Sequence, residues 1–452
     1  MTSPLVDRSR PPAAAAVKPF RFPTFERRRL SSGLTVLATR HRGSALYRLE
    51  LDFPAGAALN APRDAGLATF TALLLDDGTS SRSAHQIATT AERLGARLAT
   101  GATWDVGSLS VELLAHHRQQ GLALLAELAT ESAFPQEEIA RLRADRAAEL
   151  IRLTSDPAFL ARDRFRRVVY GDLPYGRSPI GTGGSLERFD RQRVESFFQR
   201  RYKLSGALAV VVGDDEPEAL IEEVATLFDR PGDQPSGSST EIVPTPLGHT
   251  QVHLVDRPGA AQTQLLMGHA GIARSDDRFV ATAVLTSLLG GKFTSRINLN
   301  LRERHGYTYG AACSLAGRRG PGPWTVSTAV ANPVAGAAAT QVLYELQRIR
   351  DEVVEVDELE DTQNYLIGVF PYTLQTVGNL AFRLENLGIY DLPDDYYDTY
   401  PDRIRAIDRE TLQATAREVL QPDRLAIVAV GPAAELEPQF APLGPVTVHS
   451  LE

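Results

Sequence analysis

Two textures alternate along this chain. Short β-branched runs at residues 34–39, 47–53, 252–256 and 264–268 predict strands. Stretches with apolar positions at i, i+3, i+4 and i+7 predict helices, the first marked by Leu67, Phe70, Thr71 and Leu74. Strands and helices do not alternate steadily, as a parallel sheet would require. The pattern reads as α+β, with antiparallel-rich mixed sheets covered by helices on one face.

The pattern also repeats. Leu208-Ala-Val-Val-Val-Gly213 closes one half, and Leu425-Ala-Ile-Val-Ala-Val-Gly431 closes the other, each followed by an acidic helical stretch. The segment from Gly33 to Ala38 resembles that from Thr250 to Val255, and Leu51–Gly56 resembles Met267–Gly271. All three matches fall at nearly one offset, 215 to 218 residues, which points to a duplication. Between the halves, residues 230–248 hold four prolines, three glycines and a Ser/Thr cluster, the composition of a linker. The expected organisation is an arm over 1–24, a first domain over 25–229, the linker, and a second domain over 249–452.

Composition narrows the function classes. The 452 residues are 43% hydrophobic and 23% charged, the balance of a folded globular chain. Net charge is −8 with no long basic block, which argues against nucleic-acid binding. No apolar run approaches the roughly 18–20 residues of a membrane span. The single cysteine, Cys313, allows neither an internal disulfide nor a cysteine metal cluster. Residues 1–23 hold five prolines and no apolar leader core, so they read as a flexible arm. A cytoplasmic location is the default expectation, with a periplasmic one as the alternative if a leader has been removed.

Several motifs resemble the M16 metallopeptidases, the pitrilysin, insulinase and mitochondrial processing peptidase group. Gly66-Leu-Ala-Thr-Phe-Thr-Ala-Leu-Leu74 followed by Gly78-Thr79 is similar to that family's G-L-A-H-F-x-E-H-M helix and G-T. Residues 173–186 resemble its H-P-Y…G-T stretch. Arg201-Tyr202 and the strand to Gly213 resemble its Y-x-P-x-N…V-V-G-D. Leu301-Arg-Glu-Arg-His-Gly-Tyr-Thr-Tyr309 resembles its L-R-E-K-R-G-L-A-Y. The resemblance covers roughly residues 27–435.

What the resemblance implies divides in two. In the family, two histidines at i and i+4 of H-x-x-E-H hold zinc, the glutamate between them activates water, and a later glutamate completes the set. Here the matching positions are Thr69, Ala72 and Leu73, and the later carboxylate is Glu149, 76 residues after Leu73. A threonine, an alanine and a leucine leave zinc without its ligands. Glu149 also lies three residues from both Arg146 and Arg152 on a helix, which suits ion pairing. The nine histidines form no substitute motif; His249 and His253 lie at a strand start, where an i, i+4 spacing does not converge on one metal.

The second half keeps an Arg and a Tyr seven residues apart, Arg302 and Tyr309, as the family does where it binds the substrate backbone. Phe293, Ile297 and Leu301 predict the buried stripe of a helix that ends at Gly306, and Tyr307 to Ser314 predict the strand after it. The alternative is that Arg302 pairs with Glu303 and Tyr309 packs in a sheet. The resemblance implies the zinc-less subunit of a heterodimeric peptidase. Its homologous partner would carry H-x-x-E-H and the zinc, peptides would be the substrates, and Arg302 and Tyr309 would act in trans. An inert structural or binding subunit is the other reading.

Overall fold

The computed structural model describes residues 20–229 and 241–450. Its first half builds one six-stranded sheet from β1 (Phe25–Arg29), β2 (Thr35–Arg40), β3 (Leu46–Phe53), β4 (Arg97–Ala102), β5 (Gly107–Leu114) and β6 (Leu208–Gly213). The order is β1-β2-β6-β3-β5-β4, with only β2 and β6 parallel. The second half builds another from β7 (Gln251–Asp256), β8 (Gln262–Ala270), β9 (Ala311–Leu315), β10 (Pro323–Ala331), β11 (Ala426–Gly431) and β12 (Val446–His449). Its order is β12-β7-β11-β8-β10-β9. Five strands correspond one to one between the sheets. Gly213 pairs with Arg40 at one sheet end, and Gly431 with Asp256 at the equivalent place. Only the edge differs: antiparallel β1 precedes its sheet in the chain, whereas β12 follows its own and runs parallel to β7.

The central strands β6 and β11 are buried along their whole length. In β6, Ala209 and Val211 face the helices of their own half, including Phe70, Val194 and Ile221. Leu208, Val210 and Val212 face the other way, onto Leu380, Ala381, Leu384 and Leu387 of helix Val377–Ile389, which belongs to the second half. In β11, Ile427 and Ala429 face their own helices, while Ala426, Val428 and Val430 meet Ala161, Phe165 and Val169 of helix Pro157–Tyr170 from the first half. Each half thus lends a helix to the other's sheet. The sequence reading expected one helical face per sheet; the second face is covered too, by exchange.

Local sequence sets both lent helices. Asp156 caps the first by accepting from the Ala158 N–H at 2.9 Å, with Pro157 at the opening position. Thr376 caps the second by accepting from the Asn379 N–H at 3.1 Å. Gly388 lets that helix lie close, since a Cβ there would come within 2.5 Å of Leu208.

Polar groups complete the joint between the halves. Residues 316–322, the turn between β9 and β10, dock on the turn at Trp104–Asp105. Asp105 accepts from the Tyr175 hydroxyl at 3.1 Å and from the Arg319 N–H at 3.2 Å. The Arg318 guanidinium lies 4.6 Å from the ring centres of both Trp104 and Tyr175. Under helix Val377–Ile389, one guanidinium, Arg48, bonds Glu50 at 2.5 Å and Glu112 at 3.3 Å. Asp52, 3% exposed, and Glu385 share the same region. Burial first, then Asp52 and Glu50, push the Glu385 carboxyl up to about 10. Burial likewise raises Asp52 well above the usual carboxylate range.

Two expectations about connecting segments change. Of the arm over 1–24, residues 1–19 lie outside the described residues. Phe22 is buried against the second half, stacked on Tyr397 at 5.2 Å, and its N–H bonds Asp398 at 3.0 Å. Residues 20–24 are thus anchored through Phe22. Of the linker, 230–240 lie outside the described residues, and Ile242 is buried in the joint with Tyr175 and Val428.

The exchange makes the halves one cooperative unit. Phe165→Ala is expected to cost about 3–5 kcal/mol, with both halves unfolding together. Trp104 and Trp324, the only two tryptophans, report one half each in Trp104→Phe and Trp324→Phe backgrounds; separate urea transitions would contradict this.

The joint also predicts a pH dependence. An unfolded chain releases the Glu385 proton near 4.5, while the folded chain keeps it to about 10. Folding therefore takes up a proton between those limits, and this contribution to stability is lost as pH rises through them. The urea midpoint is expected to fall between pH 6.5 and 9, and to fall less in Glu385→Gln. Parallel pH profiles for the two proteins would refute the assignment.

Candidate functional site

The helix at the metal-motif positions is short, Leu67–Ala72, and opens at Gly66 with φ +92°. Glycine is required there twice over. Its backbone is left-handed, and a Cβ would come within 2.5 Å of Gly181. Residues 178–183 therefore lie directly on the motif helix. Thr69, 9% exposed, donates its hydroxyl to the Pro179 carbonyl at 2.6 Å. Ala72 is fully buried, and Leu73 packs beside the first-half core. Glu149, on helix Gln136–Leu153, pairs with Arg146 and lies 4.0 Å from Arg152. Its carboxylate is spent on arginines of its own helix.

These four positions do not fit zinc. The one oxygen at the three motif positions of the helix, the Thr69 hydroxyl, is already committed to a carbonyl, and the other two positions, Ala72 and Leu73, are hydrocarbon. Among the described residues, no group of three or more His, Cys, Asp or Glu side chains could hold a metal ion. His253 does find an imidazole partner, but it is His449, Nδ1 to Nε2 at 3.0 Å across β7 and β12, rather than His249. Burial, with His449 beside it, holds His253 down at about 4, so it stays neutral. Cys313 is buried, and burial pushes its thiol up, away from nucleophilic use.

Arg302 and Tyr309 stand on a different kind of surface. Two π-helical turns, Ser287–Gly291 and Leu299–Arg304, flank a short α-helical piece, Arg296–Asn298. Such turns concentrate at functional sites. The second closes with the His305 N–H on the Asn300 carbonyl at 3.1 Å and the Tyr307 N–H on the Leu301 carbonyl at 2.8 Å. Gly306 follows in the left-handed conformation, φ +65°, as its position suggested. The Arg302 guanidinium rests 4.5 Å from the Phe293 ring centre and 3.3 Å from Glu303. Tyr309 is 91% exposed.

Two expectations about this region fail for physical reasons. Phe293 was placed on a buried stripe with Ile297 and Leu301. The latter two are buried, but the helix begins only at Arg296, so Phe293 sits in the preceding turn, 64% exposed. Tyr307 to Ser314 was expected as one strand. The ladder starts at Ala311 instead, opposite Thr328, and Tyr309 lies outside it. Sequence reasoning missed Phe293 as the seat of the Arg302 guanidinium. Its only signal was an aromatic nine residues upstream, in a segment misread as helix.

Chemically, this surface offers two hydrogen-bond donors, a guanidinium and a phenol, both reachable from solvent. Aimed at a peptide carbonyl, such donors favour the oxyanion formed during attack over the planar amide. The acid cluster near Arg48 belongs to the buried joint, not to this surface.

Comparison with known proteins gives the same frame. A family model described as "Insulinase (Peptidase family M16)" matches residues 36–183, and one described as "Peptidase M16 inactive domain" matches residues 188–366. An uncharacterized zinc protease of Rickettsia bellii is 23% identical over 363 residues, covering 80% of this chain and 85% of that protein. The uncharacterized zinc protease YmxG of Bacillus subtilis is 21% identical, covering 84% and 92%. Among solved structures, a peptidase M16 inactive domain from Pseudomonas fluorescens superimposes with a TM-score of 0.85 at 23% identity, over 90% of this chain and 98% of that one. A protease from Helicobacter pylori does so with a TM-score of 0.84 at 17% identity, over 91% and 100%. With both models matched in tandem on two sheets of corresponding topology, the chain belongs to the M16 peptidase family.

Proposed function

We propose that this chain is the zinc-less subunit of a heterodimeric M16 peptidase. In this reading residues 25–229 form the half that lost the metal motif, and 249–452 the half that keeps the Arg/Tyr pair, joined by 230–248. The partner is a homologous chain with an intact H-x-x-E-H, and the zinc belongs there. Peptides are the substrates.

One observation carries the reading: the three motif-helix positions hold a committed threonine, an alanine and a leucine, the later carboxylate is paired with arginine, and Arg302 and Tyr309 still reach solvent. The phenol is 91% exposed and free of packing, and the guanidinium, though it lies 3.3 Å from Glu303, is only partly covered, so both donors can meet a substrate. The chain's own part in the reaction is then binding and polarisation. Arg302 and Tyr309 donate hydrogen bonds to the scissile carbonyl oxygen as negative charge develops on it. Phe293, under the guanidinium, limits the directions in which Arg302 can point.

The isolated chain is expected to retain no zinc after dialysis and to cleave no peptide; addition of the partner should restore both properties to the mixture. Within that complex, Arg302→Ala and Tyr309→Phe should each lower kcat/KM about 100-fold, the loss of about 3 kcal/mol typical of one oxyanion donor. Zinc content and melting temperature should not change. Stoichiometric zinc in the isolated chain would refute the division of labour. Unchanged turnover in both variants would favour the structural-subunit reading instead.

A further inference from the structure

Tyr309 presents a physical puzzle. It has the same parity as Ala311 and Cys313, which point into the core and are each 7% exposed. Had the ladder of β9 with β10 run on by two more pairs of residues, to Tyr309 opposite Val330, the tyrosine would have been carried to that buried side. The ladder stops at the Ala311–Thr328 pair instead, and the tyrosine ring stands in solvent. No packing of the ring explains this, so the cause lies in the backbone around it.

Side-chain groups take over where the ladder ends. The Thr308 hydroxyl lies 2.9 Å from the Gly310 carbonyl and 2.9 Å from the Ala329 carbonyl, either of which can accept its proton. It also accepts from the Gly310 N–H at 3.1 Å. The Thr328 hydroxyl, on a residue 5% exposed, sits 2.9 Å from the Thr308 hydroxyl and 3.0 Å from the Gly310 carbonyl. One residue further on, the Asn298 carboxamide accepts from the Ala311 N–H at 2.8 Å. Its amide group donates to the Lys292 carbonyl at 3.3 Å and to Ser295 at 3.2 Å. That carboxamide therefore ties the turn that carries Phe293 to the start of β9. The residues on both sides of Tyr309 are held by hydroxyl and carboxamide groups, while its ring is held by nothing.

We propose that Thr308 and Thr328, with Asn298, are positioning residues that end the ladder two residue pairs short of Tyr309 and thereby hold its ring outward for substrate. The inference rests on the functional reading above. Ordering a backbone costs conformational entropy, and an exposed ring returns no burial to offset it. The arrangement makes sense if the outward direction of the phenol is itself what is used, since a group set before reaction need not be reorganised during it.

The test is a double-mutant cycle on the reconstituted complex, combined with hydrogen exchange on this chain alone. Thr308→Val keeps the shape and removes the hydroxyl; Thr328→Val is the second variant, and Thr308→Ser the conservative control. In the isolated chain, amide exchange at residues 309–311 should speed up at least tenfold in both valine variants and stay near wild type in Thr308→Ser, with the melting temperature little changed. In the complex, Thr308→Val should lower kcat at least tenfold with KM within about twofold, and Thr308→Ser should recover most of the loss. On a Tyr309→Phe background, Thr308→Val should add less than a twofold effect. A loss that remains in full on that background would mean a merely structural role and would overturn the proposal. So would unchanged kcat in Thr308→Val while Tyr309→Phe is impaired. If Tyr309→Phe is itself fully active, the functional reading falls and takes this proposal with it. Faster exchange in the valine variants would then show that the clamp exists but serves no catalysis, which separates the two failures.

Discussion

Burial of β6 and β11 on both faces is the constraint from which the rest follows. A central strand with Ala-Val-Val-Val or Ile-Val-Ala-Val has no polar face to offer water, so each sheet needs a cover on either side. One half's own helices supply only one cover. Lending helix Pro157–Tyr170 in one direction and helix Val377–Ile389 in the other supplies the second for both sheets at once. The two halves are therefore not beads on a linker. Neither sheet can close its core without a piece of the other, and apolar burial at roughly 25 cal/mol per Å² acts across the joint as strongly as within a half.

That joint has a chemical peculiarity. Four carboxyls and one guanidinium face each other near helix Val377–Ile389, and burial makes full ionisation costly. The Glu385 carboxyl answers by keeping its proton, and as the proton-bearing partner it can hydrogen-bond to Glu50. A neutral, proton-bearing carboxyl behaves as a polar core residue rather than as a charge. The charge is absorbed inside the joint, away from the surface that carries Arg302 and Tyr309.

Much of this was legible in the residues, and the misses share a cause. The duplication showed because matching strands recur at nearly one offset, whereas Thr69, Ala72 and Leu73 were marked as metal-motif positions only by the resemblance to the M16 helix. Glu149 pairing with Arg146 also followed from helix spacing alone. The helix exchange did not show, because an all-apolar strand looks the same whichever half supplies its second cover. Phe293 fits a stripe with Ile297 and Leu301 by spacing, yet a turn precedes the helix, and periodicity cannot see where a helix begins. Tyr309 alternates correctly with Ala311 and Cys313, yet the ladder stops short of it. His253 meets His449 rather than His249 because β12 returns from the chain end to lie beside β7, a pairing 196 residues distant. Local pattern reads what a segment prefers; tertiary closure decides where that preference stops.

The separation of the two site regions bears on how one could decay without the other. Thr69, Ala72 and Leu73 belong to a helix packed into the first-half core and covered by residues 178–183. Arg302 and Tyr309 hang from π-helical and turn backbone at the free edge of the second sheet, beyond β9. In the first region hydrocarbon and a threonine bonded to Pro179 stand at these positions with no buried charge left over, which favours stability. The second region takes its order from other residues, Asn298, Thr308 and Thr328. The two regions thus sit in different halves and on different elements. On the reading proposed above, the first would pass to a homologous partner while this chain contributes the second, so that an association of two such chains would need only one intact motif between them.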